Sequence, residues 1–155
     1  MSKRILKGWL GIAAGVVLFN VAGAQNVADP ASKVLSARQN QVIRNEFSKI
    51  VSPEERQMAM DWSDAKKVAE TMCRPVALLY FKKQYRDADR VFLGNDRSDS
   101  LTLESNELLT GTGQVRTGGA WHYFTFSCHL NPRNGQAISF DADITRTESY
   151  IRPSL

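Results

Sequence analysis

The chain has 155 residues, 43% of them hydrophobic and 23% charged, with 10 Gly, 5 Pro and 2 Cys, which excludes disordered, collagenous and disulfide-dense products and fits one domain. Its formal charge of +4 invites a nucleic-acid reading, but Lys3, Arg4 and Lys7 lie in a segment expected to be removed, and residues 25–155 carry only +1. A nearly neutral domain lacks the charge to grip a polyanion.

Lys3, Arg4 and Lys7 form a positive head, Trp9 to Val21 an apolar run, and Ala22-Gly23-Ala24 the small-x-small cleavage site of a secretory signal peptide. A membrane span needs about 20 apolar residues, whereas this run has 13 with Asn20 near its end. The expectation is a signal peptide over residues 1–24, cleavage after Ala24, and a single domain over 25–155 with no stable membrane insertion. No cysteine follows the cleavage site to carry a lipid. The expected location is the periplasm or the outside of the cell. There, Cys73 and Cys128 read most simply as a disulfide.

Asp29-Pro30 reads as a helix start, followed by Leu35, Val42, Ile43, Phe47 and Ile50 on one stripe about 140° wide at 100° per residue. Ser52-Pro53-Glu54-Glu55 predicts a second helix opened by a capping box, with Glu55 reaching back. Ala65, Val68, Ala69, Met72 and Cys73 recur at helical spacing and place Cys73 on a buried stripe. Pro75 is expected to end or kink that helix. Val76 to Phe81 then reads as a further turn or two, with Lys82 and Lys83 at the negative end of the helix dipole.

Beyond about residue 88 the pattern becomes that of strands: Arg90–Leu93, Leu101–Glu104, Leu108–Arg116, Trp121–Leu130 and Ala137–Thr145, with Asn134-Gly135 a strong hairpin signal. Alternation puts His122, Phe124, Phe126, Cys128 and Leu130 on one face of the fourth strand, and Ile138, Phe140, Ala142 and Ile144 on one face of the fifth. The expected fold is α+β, with three or four N-terminal helices packed on a four- or five-stranded antiparallel meander and Cys73 bonded to Cys128 across the layers.

The stretch from about Asp64 to Thr145 resembles small secreted bacterial proteins of an uncharacterised domain family of unknown function. The resemblance rests on Cys73-Arg74-Pro75, Arg90-Val91-Phe92-Leu93, Gly111-x-Gly113-x-Val115, Trp121-x-x-Phe124-x-Phe126-x-Cys128 and Ser139-Phe140. It covers about half the chain. What it implies is export, helices before a meander, and paired cysteines, with no catalytic residue to carry over.

Catalytic and metal-binding patterns are weak. His122 and His129 are seven residues apart in one strand and face opposite sides, roughly 23 Å from each other, so they cannot share a metal. Ser127-Cys128-His129 places its neighbours on opposite faces, and the cysteine is better read as a half-cystine. Asp87, Asp89, Asp96 and Asp99 flank the first strand without the ligand spacing of a calcium loop, and read as solvated turns. Thr110-Gly111-Thr112-Gly113 lacks the ending of a phosphate cradle and reads as close strand packing or a bulge. Lys82-Lys83-Gln84-Tyr85-Arg86 reads as a solvated helix end. No cofactor and no metal are expected.

One feature rises above this background. Trp121, Tyr123, Thr125, Ser127 and His129 lie on the outward face of the fourth strand, beside Ser139, Asp141, Asp143 and Thr145 of the fifth. Exposed Trp and Tyr are interface-anchor residue types, although they also stack on cross-strand neighbours or lie under a helix. The candidate binding residues are therefore Trp121, Tyr123, His129, Asp141 and Asp143. The expected function is a small exported, non-enzymatic interaction module with a protein partner, for example an inhibitor or immunity-like protein of an extracytoplasmic enzyme. The alternatives are a small secreted hydrolase using dispersed acids with His122 or His129, and a structural envelope protein.

Overall fold

A computed structural model describes residues 32–150; the signal peptide, its cleavage site and the Asp29-Pro30 helix start lie outside them. Four α-helices precede five strands: α1 (Ala37–Phe47), α2 (Pro53–Met60), α3 (Asp64–Val68), α4 (Arg74–Gln84), then β1 (Arg90–Leu93), β2 (Leu101–Ser105), β3 (Leu108–Arg116), β4 (Ala120–Asn131) and β5 (Gln136–Ser149). All strand pairs are antiparallel. The helices cover one face of the sheet, and the disulfide joins the layers: Cys73 and Cys128, both fully buried, are bonded with Cα atoms 6.1 Å apart.

Local chemistry explains where the helices begin. Helix α1 starts at Ala37 because Ser36 and Gln39 form a reciprocal capping box, the Ser36 hydroxyl accepting from the Gln39 N–H and the Gln39 side chain accepting from the Ser36 N–H. Residues 32–36 are not helical, so Leu35 reaches the core from the entry segment. This corrects the expected helix running on from Pro30. Gln39 is itself fully buried and donates to the Asn106 carbonyl at 2.6 Å, tying α1 to the β2–β3 turn. At α2 the Ser52 hydroxyl accepts from the Glu55 N–H, but it donates to the Glu54 carboxylate. The acidic side chain bonded to Ser52 is thus Glu54 rather than the expected Glu55, and the bond is to the hydroxyl rather than to the backbone N–H of a capping box.

Pro75 does not end the helical run, which continues as α4. Residues Ala69–Cys73 form a π-helical turn, and the Arg74 N–H bonds to the Ala69 carbonyl five residues back. That wide turn places Pro75 in the first turn of α4, where an amide donor is not required. The helix then continues to Gln84 and buries Ala77 and Phe81. Phe81 lies 4.6 Å from Phe124, and Phe126 stacks on Phe140 at 5.3 Å, forming the aromatic centre of the core.

The sheet departs from a simple meander at one edge. β1 and β2 do not pair with each other; both pair with β3, β1 against Gly113–Arg116 and β2 against Leu108–Gly111. The intervening loop closes on a single residue: Gly94 N–H donates to the Thr112 carbonyl at 2.8 Å, and Thr112 N–H donates to the Ser100 carbonyl at 2.9 Å. β1 and β2 are therefore two halves of one edge strand with a loop looped out between them. The glycines of Thr110-Gly111-Thr112-Gly113 serve close approach, as expected: a Cβ on Gly111 would collide with the Ser100 carbonyl, and one on Gly113 would meet the Phe124 ring at 2.6 Å.

β5 carries two register shifts against β4, one between His129 and Leu130 and one between Tyr123 and Phe124. Ile138 and Thr145 are the extra residues, opposite no β4 residue. The expectation for Ile138 fails for this reason, whereas Ile144, opposite buried Phe124 and in step with Phe140 and Ala142, keeps the expected side but is only partly covered. Ile138 is 67% exposed and Ile144 40% exposed, whereas Ala137, opposite Leu130, packs on the core. Past the second bulge the facing of β5 inverts, so Arg146 and Glu148 stand beside Tyr123 and Trp121 in the place expected for Thr145.

Candidate functional site

The face of the sheet away from the helices is built by β4 at its centre. Register places Arg116 and Glu148 on either side of Trp121, Gln114 and Arg146 beside Tyr123, and Asp143 and Asp141 opposite Thr125 and Ser127. Each aromatic ring is held by neighbours. Trp121 lies 6.0 Å from the Phe92 ring of β1, with the Arg116 guanidinium 6.0 Å over it. The Arg146 guanidinium sits 4.1 Å over Tyr123, and the Tyr123 hydroxyl donates to Glu148 at 2.9 Å. Arg146 and Glu148 are themselves paired at 3.0 Å. The hydrogen bond to Glu148, with a smaller contribution from burial, raises the Tyr123 phenol above its ordinary range.

The five expected binding residues share this face without converging on one point. Trp121 and His129 are eight residues apart on β4, roughly 26 Å at a strand's rise, and His129 is exposed opposite Ser139. Asp141 and Asp143 border a shallow cleft of about 390 Å3 with Thr125 and Ser127, and among the described residues neither carboxylate has an ion-pair partner. Tyr123 and Arg146 border a second cleft of about 400 Å3, together with Asn95, Thr112 and Gln114. The face is thus a row of concavities, aromatic and arginine-bearing at one end, acidic and hydroxyl-bearing at the other.

A third cleft, of about 440 Å3, opens where β3 turns into β4 and is bordered by Asp87, Asp89, Arg116, Thr117, Trp121 and Tyr150. Arg116 grips Asp89 through two nitrogens, Nε to Oδ1 at 2.8 Å and Nη2 to Oδ2 at 2.5 Å. That fork holds the Asp89 carboxyl below the usual carboxylate range. Gly118 N–H donates to Asp87 at 2.7 Å, and the Tyr150 hydroxyl donates to the Thr117 carbonyl at 2.9 Å. Sequence reasoning treated Asp87 and Asp89 as solvated turns. The signal that pairs Asp89 with Arg116 is the β1–β3 register, which no sequence pattern displays.

The other sequence candidates have structural explanations. His122 is stacked on Tyr85 at 4.5 Å, with Nδ1 2.9 Å from the Thr147 hydroxyl and Nε2 3.3 Å from the Thr117 hydroxyl. Both ring nitrogens are occupied within the sheet end. Asp99 is taken up by a two-point pair with Arg97, which lowers its pKa, as befits a solvated turn. Among the described residues no group of three or more His, Cys, Asp or Glu stands in a position to hold a metal ion, and no helix is long and apolar enough to cross a membrane.

Compared with protein-family models, curated proteins and solved structures, the chain finds no match in any of the three.

Proposed function

We propose that the protein is a small exported, non-enzymatic interaction module that binds a protein partner through the outward sheet face, in the manner of an inhibitor or immunity-like protein of an extracytoplasmic enzyme. The observation that carries this reading is the state of Trp121 and Tyr123. Both stand on the sheet face opposite the helices, and each is locked by an arginine and a cross-strand neighbour. Rigid amphipathic rings lose little entropy on binding, which suits them to anchor an interface. Asp141, Asp143 and His129 extend the same face and supply a polar rim of the kind that surrounds such anchors. The disulfide and the signal peptide expected over residues 1–24 both fit an oxidising destination.

Site-specific photo-crosslinking in the intact exported protein tests this. A probe at position 123 is expected to give one adduct of fixed mass, lost when Trp121→Ala is added, while the same probe at Met58 on α2 gives none. An adduct at position 58 alone, or no adduct at position 123, would overturn the reading.

A further inference from the structure

We infer that the cleft between Asp87 and Tyr150 is a saccharide subsite that seats one neutral sugar ring against Trp121. Three observations converge on that ligand class. The first is charge balance. Asp89 and Arg116 already neutralise each other through a two-point contact, and the Asp87 carboxylate is held by the Gly118 amide. An anion entering the cleft would face the Asp87 and Asp89 carboxylates, and a cation would face the Arg116 guanidinium. A neutral hydroxyl meets neither repulsion, and it can bond to the further N–H groups and lone pairs that a guanidinium and a carboxylate joined in this way keep pointing outward.

The second observation is preorganisation. Asp87 is pinned through Oδ2 to the Gly118 N–H, which leaves its other oxygen as an acceptor. A side chain on residue 118 would meet that same Oδ2 at 2.7 Å, so glycine is what lets the carboxylate sit there. Tyr150 is fixed by its bond to the Thr117 carbonyl. Donors and acceptors held in place before binding are what weak polyol ligands need, since each bond to a hydroxyl is gained in competition with water.

The third is the mixture of walls. One side is the ring of Trp121, an apolar surface for the C–H face of a sugar; the rest is carboxylate, guanidinium and hydroxyl. A few convergent polar groups beside an aromatic wall describe a site for a ligand with one apolar and one polar aspect. At about 440 Å3 the cleft is of small-ligand size. This goes beyond the protein-partner reading and does not depend on it, because the cleft is built with Asp87, Asp89, Gly118 and Tyr150, none of which that reading uses.

The test uses a Trp62→Phe background, in which Trp121 is the only tryptophan beyond the first 24 residues. The probes are N,N′-diacetylchitobiose, cellobiose and maltose. Trp121 fluorescence and the amide shift of Gly118 are followed during titration. At least one probe is expected to saturate with a Kd of about 1 mM. That Kd should vary little between low and physiological salt, as befits a neutral ligand. Arg116→Gln and Asp87→Asn should each weaken it at least tenfold, and Arg116→Lys, which keeps the charge but loses the fork, should also weaken it. No saturable change with any probe would overturn the proposal, as would binding that both Arg116→Lys and Asp87→Asn leave intact. The crosslinking result at position 123 stands apart from either outcome, so the two readings fail separately.

Discussion

Asp89 shows how a single contact shapes the cleft. The Arg116 fork stabilises the ionised carboxyl, so its pKa in the folded protein lies below that of the unfolded chain. The sign follows from linkage: the contribution is complete above the unfolded carboxylate value of about 3.9 and is lost as pH falls through the lower folded value. The pair is solvent-exposed and contributes little to global stability. Its effect is local. A carbon-detected titration of Asp89 is expected to give a midpoint below the ordinary aspartate value, moving back up in Arg116→Gln. An unchanged midpoint in the variant would show that Arg116 does not hold the carboxyl.

At the scale of elements, β5 has to solve the problem of a long open edge. It runs for 14 residues and pairs only with β4, leaving backbone donors and acceptors that another strand could use. Three devices protect it. The bulges at Ile138 and Thr145 interrupt its register, Asp141 and Asp143 place like charges between them, and the Tyr80 hydroxyl reaches from α4 to the Ala142 carbonyl at 3.3 Å. The triple variant Tyr80→Phe/Asp141→Val/Asp143→Val is expected to lose no more than about 1.5 kcal/mol by urea unfolding, yet to scatter light increasingly with concentration. Unchanged solubility would assign edge protection to the bulges alone.

Across the whole molecule the disulfide connects what the chain order separates. It closes a loop with a sequence separation of 55, so its removal releases unfolded-chain entropy worth about 4 kcal/mol in the loop-closure model. A Cys73→Ala/Cys128→Ala protein is expected to show that loss in chemical denaturation; a loss under about 1 kcal/mol would mean that the packed layers alone set the stability. This staple was legible in the sequence, because Cys73 lay on a helical stripe and Cys128 on the inward side of a strand. So were the five strands, whose local alternation is strong. The failures lie where structure depends on pairing rather than on pattern. A bulge changes the facing of Ile138 without changing its local composition. Likewise the Asp89–Arg116 pair exists only once β1 lies beside the end of β3, and Arg146 and Glu148 joined the outward face only because β5 continued past Thr145. The alternation that puts Trp121, Tyr123, His129, Asp141 and Asp143 on the outward face was legible, whereas the cleft beside them arose from contacts distant in sequence.

The interrupted edge strand has a consequence for how this protein tolerates change. β1 leaves β3 and β2 rejoins it at the same residue, Thr112, which closes the loop with one hydrogen bond on each side. Register on both halves is therefore indifferent to the number of residues between Gly94 and Ser100. Insertions there leave the layers untouched while altering the rim of the middle cleft, to which Asn95 belongs. The loop is a natural cassette: a point where related chains could diversify recognition, and where a reporter peptide could be grafted, without renegotiating the fold.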